Sequence, residues 1–355
     1  MRPAGRTAAA GWLASAWLLG ASFLFYVTFV QYGLLRHAQL NLGLAESDLM
    51  PGFGLLAGLG IAGSLLAGWL IDRLRPAAFR LAWLAATLSG LLAVVASLSL
   101  LATSRMWLIV CFAPLGLLLG LLIVVLLYLF TWFIPPAARG WCAGGAAAFA
   151  YLAANVIAIF SERPQIIGRF DILLMVVNIM IVLFCGRAWR RLAPVPAGRA
   201  VGLFAMLRGL WPLALVVLID TALFVLVSRD PGPTAILAGP GDWLANGGEH
   251  FLAALLAGGL YSRLGWRKIT RLAAGALVVL VALYAVHRGS ATDLSVAIQA
   301  VYSLIVGFYT VSLFTLFGEE IPRDRPALGI AAGMVFVGWL ASPAGIALGT
   351  ALLPR

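Results

Sequence analysis

Two acidic residues stand where an acid is costly. Asp220 lies in the apolar run Val217-Leu218-Ile219-Asp220-Thr221-Ala222-Leu223, and Glu249 stands beside His250 in another such run. A carboxylate that can be reached in turn from either side of a membrane can take up a proton on one side and release it on the other. An ionisable group inside such a segment therefore points first to function. Asp242, Asn246 and Glu249 follow one another at steps of four and three, which puts them on one helical face. Interhelical hydrogen bonding, or pairing with Arg229 or His250, is the alternative role for both acids and stays open. Further polar candidates are Tyr26, Gln31 and Tyr32 near one end of the chain, and Gln299, Tyr302 and Tyr309 at steps of three and seven. Asn155 and Asn178 are also candidates for hydrogen bonds between helices. The three histidines, His37, His250 and His287, are scattered. No catalytic constellation, phosphate-cradling loop or metal-ligand cluster is present in the sequence, so neither an enzyme nor a cofactor is expected.

Whatever positions these groups must do so in lipid. The chain has 355 residues, 63% of them hydrophobic and 10% charged, with a mean hydropathy of +1.03. A soluble domain keeps roughly a quarter of its residues charged. Runs of about 20 apolar residues, the length needed to cross a hydrocarbon core, predict an all-α polytopic protein with eleven spans. They fall at 11–34, 50–71, 79–102, 106–130, 141–160, 171–189, 209–228, 243–262, 269–287, 294–317 and 327–352. The first run is too long for a signal-peptide core and reads as a retained span. Cys111, Cys142 and Cys185 fall in apolar runs and read as small buried residues rather than a disulfide or metal site.

Charge orients the layout. With the N-terminus in the cytoplasm, only Arg36, Arg105, Arg163, Arg169, Arg229, Arg288 and Arg355 of the 24 basic residues fall outside. The outer arginines are offset by acids, among them Glu46, Asp48, Glu162, Asp171, Asp230, Asp242 and Asp293. The net charge of +11 is then an orientation signal and needs no nucleic-acid partner. The near-exclusive use of arginine, with the Ala, Leu and Gly load, suggests a bacterial protein of the inner membrane.

The chain also repeats. Gly68-Trp-Leu-Ile-Asp72-Arg73 follows span 2, and Gly258-Gly-Leu-Tyr-Ser262-Arg263-Leu-Gly265-Trp-Arg267-Lys268 follows span 8. Ile134-Pro135 precedes span 5 and Ile321-Pro322 precedes span 11, at nearly the same offset. This predicts a six-helix half (1–190), a linker (191–208) containing Pro194 and Pro196, and a five-helix half (209–355) without a sixth helix.

On these motifs the chain resembles the major facilitator superfamily, whose two six-helix halves each carry a short G-x-x-x-D-[RK]-x-G-R-[RK] motif after the second helix. The first copy keeps Gly68, Asp72 and Arg73 but has Arg75 where glycine is expected. The second keeps Gly258, Arg263, Gly265, Arg267 and Lys268 but has Ser262 in place of the acid. The resemblance implies a secondary transporter of a small organic solute working by alternating access, with proton coupling as a further option. It also implies a cytoplasmic latch in which Asp72 meets the start of span 11 near Pro326. The motif cations could equally be no more than topology anchors. The arginine expected in span 4 is replaced by Phe112, and the Gly-Pro pair of antiporters is missing from span 5. These departures keep a rival in play: a non-transporting relative acting in assembly, delivery or sensing, with a membrane partner where a twelfth helix would pack. The first half shows no acid or arginine at mid-membrane, so coupling would reside in the second half.

Overall fold

A computed structural model describes residues 3–160, 162–195, 199–229, 240–289, 294–322 and 324–352. Arg2, Pro196, Asp230, Asp293, Arg323 and Arg355, which entered the sequence reading, lie outside the described residues.

The apolar runs are helices, and ten described helices are long and apolar enough to cross a membrane. The first crossing begins as α1 (Pro3–Phe25), passes through a π-helical stretch (Tyr26–Gly33) and ends as α2 (Leu34–Leu42). The next are α3 (Glu46–Leu74), α4 (Ala78–Leu100), α5 (Arg105–Phe133), α6 (Pro136–Ala158) and α7 (Pro164–Trp189). Then come α8 (Leu203–Arg229), α9 (Pro240–Gly289) and α10 (Ser295–Thr315). The last crossing is α11 (Pro326–Met334), a second π-helical stretch (Val335–Ala341) and α12 (Ser342–Leu352). This is a multi-pass helical membrane protein.

The 50 residues of α9 would run about 75 Å as one rod, against a hydrocarbon core of about 30 Å. Gly265 breaks it, with φ 72° and ψ 165°, a conformation that a side chain resists. The eleven predicted spans are reached only if the pieces on either side of Gly265 are counted separately. Other boundaries differ from the sequence reading, and the first crossing runs on to Leu42, eight residues past its predicted end. The sixth crossing starts at Pro164, seven residues earlier than predicted, and α8 starts at Leu203, inside the predicted linker.

Small residues let the helices approach. A Cβ on Gly63 would meet Leu117 O, and one on Gly116 would meet Leu56 O, so α3 and α5 pack backbone to backbone. The same device joins the two halves of the chain. Gly258 of α9 lies against Gly140 and Gly144 of α6, and Gly68 of α3 lies against Ala327, Leu328 and Ala331 of α11. The linker is held too. Its two-residue strand β1 (Arg199–Ala200) pairs in parallel with β2 (Glu320–Ile321), in the register Arg199 to Glu320, and Val195 N donates to Trp132 O at 2.8 Å.

Two residues read from sequence as loop charges are buried. Asp171, read from sequence as an outer charge, has no solvent exposure and sits seven residues inside α7. Arg139, counted as a loop cation, is also fully buried. Its Nη2 donates to Thr131 O (2.8 Å) and Ile134 O (3.0 Å), the carbonyls at the C-terminal end of α5.

Candidate functional site

Two groups of residues bridge the halves. The first surrounds the sequence motif. Asp72 ends α3 with its carboxylate aimed at the N-terminus of α11: Ala327 N donates to Oδ1 and Leu328 N to Oδ2, each at 2.8 Å. The first N–H groups of a helix lack partners within it, and the helix dipole favours an anion there. Arg73 is exposed and lies over the Trp69 ring at 5.3 Å. In the second copy, Ser262 is exposed and donates to Gly259 O of its own helix (2.8 Å). It caps nothing across the interface. There the acids come from Glu319 and Glu320 instead, which the sequence reading did not single out. Trp266 N, just past the break at Gly265, donates to Glu319 Oε1 (3.3 Å). Arg267 pairs with Glu320 at 2.8 Å. Arg263 and Lys268 are exposed.

The second group lies deeper and links α6, α8, α9 and α10. Tyr151 of α6 and Thr310 of α10 share a hydrogen bond of 2.6 Å between their hydroxyls. Asn246 Nδ2 of α9 donates to Asn155 Oδ1 of α6 at 2.7 Å. His250 packs between the rings of Tyr151 (5.3 Å) and Tyr302 (5.8 Å). Its Nδ1 lies 2.9 Å from both Asn246 O and Ser303 Oγ. A carbonyl only accepts, so Nδ1 carries the hydrogen and Nε2 is the basic nitrogen. Ser303 in turn hydrogen-bonds Glu249, and Tyr309 hydrogen-bonds Asp220. One oxygen of each acid, Asp220 Oδ1 and Glu249 Oε2, is buried with no hydrogen-bond partner.

The sequence face Asp242–Asn246–Glu249 is therefore divided. Asn246 and His250, four apart, turn inward, Glu249 is half-buried and Asp242 is exposed. Gln299 is half-buried in α10, one turn before Tyr302. Across the interface, Tyr26 and the exposed Gln31 hydrogen-bond each other. They are five residues apart, the repeat that a π-helix stacks. Tyr32 lies under the Arg36 guanidinium at 5.7 Å and is separate from that pair. Tyr26 also meets the edge of Trp339 at 6.5 Å. The Trp339 ring covers Gly60 of α3, and its Nε1 donates to Ser64 Oγ (3.2 Å). Trp339 belongs to the second π-helical stretch, which precedes Pro343, a residue with no N–H to give. Composition alone gave no sign of it.

No family model matches this sequence, and no curated protein does. Solved structures match. The structure of the MFS (major facilitator superfamily) proton:xylose symporter XylE bound to 6-bromo-6-deoxy-D-glucose aligns over 95% of this chain and 87% of its own, with a TM-score of 0.63. The chain has the major facilitator fold. Identity to that symporter is 14%, so the likeness is one of architecture, and a function has to be argued from this chain's own residues.

Proposed function

We propose that the protein is a secondary transporter. It moves a small, neutral, hydrogen-bonding organic solute by rocking residues 1–190 against residues 209–355, with Asp220 and Glu249 as its proton-binding groups. The observation that carries this reading is the pair of inter-half contacts just described. At one end Asp72 holds α11 by two backbone hydrogen bonds and Gly68 and Gly258 sit at tight helix crossings. Deeper in, Tyr151 and Asn155 of the first half meet Thr310, Asn246 and His250 of the second, and the second half adds two acids that each keep an unpaired oxygen. Such an arrangement can release at one end while a midplane site stays in place, as alternating access requires. The solute class follows from the donors and acceptors at hand. Tyr26, Gln31, Tyr302 and Tyr309 offer hydroxyls, an amide and aromatic faces, which suit a polyhydroxylated or amide-bearing molecule rather than a multiply charged anion. The named symporter, a xylose carrier, agrees with that class.

The test separates transport from coupling. In proteoliposomes, Asp220→Asn with Glu249→Gln is expected to abolish uptake driven by a pH gradient and to leave solute counterflow intact. Gradient-driven uptake at the wild-type rate in the double variant would remove these acids from the mechanism.

A further inference from the structure

Asp171 is a buried acid that the transport reading does not use. It sits on α7, facing the π-helical stretch of the first crossing, with no solvent exposure. Its Oδ1 lies 2.6 Å from Thr28 Oγ1, and its Oδ2 is buried with no partner. Thr28 Oγ1 lies 2.7 Å from Leu24 O as well. A threonine hydroxyl has one hydrogen, and here it faces two acceptors. If that hydrogen goes to Asp171, a carboxylate with one partner is buried among apolar helices and no cation among the described residues pairs with it, an expensive arrangement. If the hydrogen goes to Leu24 O, Asp171 must supply its own. Then Oδ1–H donates to Thr28 Oγ1, Oγ1–H donates to Leu24 O, and every hydrogen has an acceptor. The groups on the packed elements do not change this count. Arg36 lies on the Tyr32 ring and His37 Nδ1 is bonded to Asn41. Arg80, at the far end of α4, and Arg169 are exposed, and Tyr26 bonds Gln31.

We propose that Asp171 is a proton-binding site in the first half of the chain, occupied in this conformation, with the Thr28 hydroxyl as the hydrogen-bond switch that answers loss of its proton. When the proton leaves Asp171 for water, the Thr28 hydroxyl swings its hydrogen from Leu24 O to the carboxylate. One proton is lost and no covalent bond other than that O–H changes. Leu24 O then loses a donor two residues before the π-helical stretch that presents Tyr26 to Trp339 of the other half. Wide helical turns inside α-helices recur at functional sites. The state of Asp171 thereby bears on a contact between the halves. This goes beyond the solute-linked acids Asp220 and Glu249, and it can be measured without any solute.

The experiment is infrared difference spectroscopy on the purified full chain in lipid at neutral pH. Wild type is expected to show a carboxylic-acid C=O band that Asp171→Asn removes and that the Asp220→Asn, Glu249→Gln double variant leaves in place. A band unchanged by Asp171→Asn overturns the proposal. If Asp171→Asn does not fold, aspartate labelled with 13C in otherwise wild-type protein identifies the aspartic-acid bands. One of them is expected to shift in Thr28→Val and to stay in Thr28→Ser, and a labelled spectrum indifferent to Thr28→Val overturns the proposal equally.

Discussion

Replacing Asp72 by alanine removes the acceptor of both the Ala327 and the Leu328 N–H, each now 2.8 Å from a carboxylate oxygen. Losing a capping acceptor costs about 0.5–2 kcal/mol, and a carboxylate at a helix N-terminus contributes a further 0.3–1 kcal/mol or so when partly exposed. Asp72 is half-buried, so about 1–2 kcal/mol is the reasonable sum. That shifts a two-state ratio roughly 5- to 30-fold against the state in which α3 and α11 meet. Asp72→Asn keeps one carbonyl acceptor and loses the charge, so it should shift the ratio by a smaller factor. Ser262→Ala should leave the ratio unchanged, because among the described residues Ser262 bonds its own helix. Electron–electron double resonance reads this ratio from spin labels at Leu74 and Asp324, both exposed and on opposite halves. The background would have Cys111, Cys142 and Cys185 replaced. The expected result is a second, longer distance that grows in the order Ser262→Ala, Asp72→Asn, Asp72→Ala. Identical distance distributions in wild type and Asp72→Ala would refute the reasoning, since the cap would then hold nothing together.

Other outcomes follow from the same contacts. Gly258→Val adds atoms where a Cβ would lie 2.9 Å from Gly144 Cα. Overpacking of this kind costs about 1–3 kcal/mol, so the longer Leu74–Asp324 distance should gain population in this variant as well. Asn155→Leu leaves the Asn246 amide without its 2.7 Å partner and should lower the thermal midpoint in detergent by an amount equivalent to about 1–3 kcal/mol. Adding Asn246→Leu should recover part of that loss, and a double variant that is worse than the single one would show that the pair is not the source.

The helices were legible because lipid imposes a length and a composition on every crossing. The motif placed Asp72 at a helix end, but its meeting with α11 was implied only by the resemblance to the major facilitator family, and the contacts to Ala327 and Leu328 agree with it. The misread residues share a cause: a charged residue interrupts a hydropathy run although its helix continues. Arg169 and Asp171 moved the predicted start of the sixth crossing from Pro164 to 171 and left Asp171 looking like a loop charge. Arg169 is exposed while Asp171 is fully buried, because residues two apart on a helix point to nearly opposite faces. Arg36 and His37 likewise cut the first crossing short of Leu42. The roles of Glu319 and Glu320 depend on the break at Gly265 and on the pairing of the linker with β2. Those are contacts between segments far apart in the chain, which periodicity cannot show. The π-helical register that pairs Tyr26 with Gln31 is a backbone choice with no signature in residue type.

The central claim is that the two halves move a solute between them. The direct measurement is accumulation of a panel of small polyhydroxylated and amide-bearing solutes by proteoliposomes under an imposed inward proton gradient. At least one solute should accumulate above its external concentration, and collapsing the gradient should abolish the accumulation. If none accumulates while another membrane protein co-purifies with this chain in fixed proportion, the account is contradicted and the fold serves assembly or delivery instead.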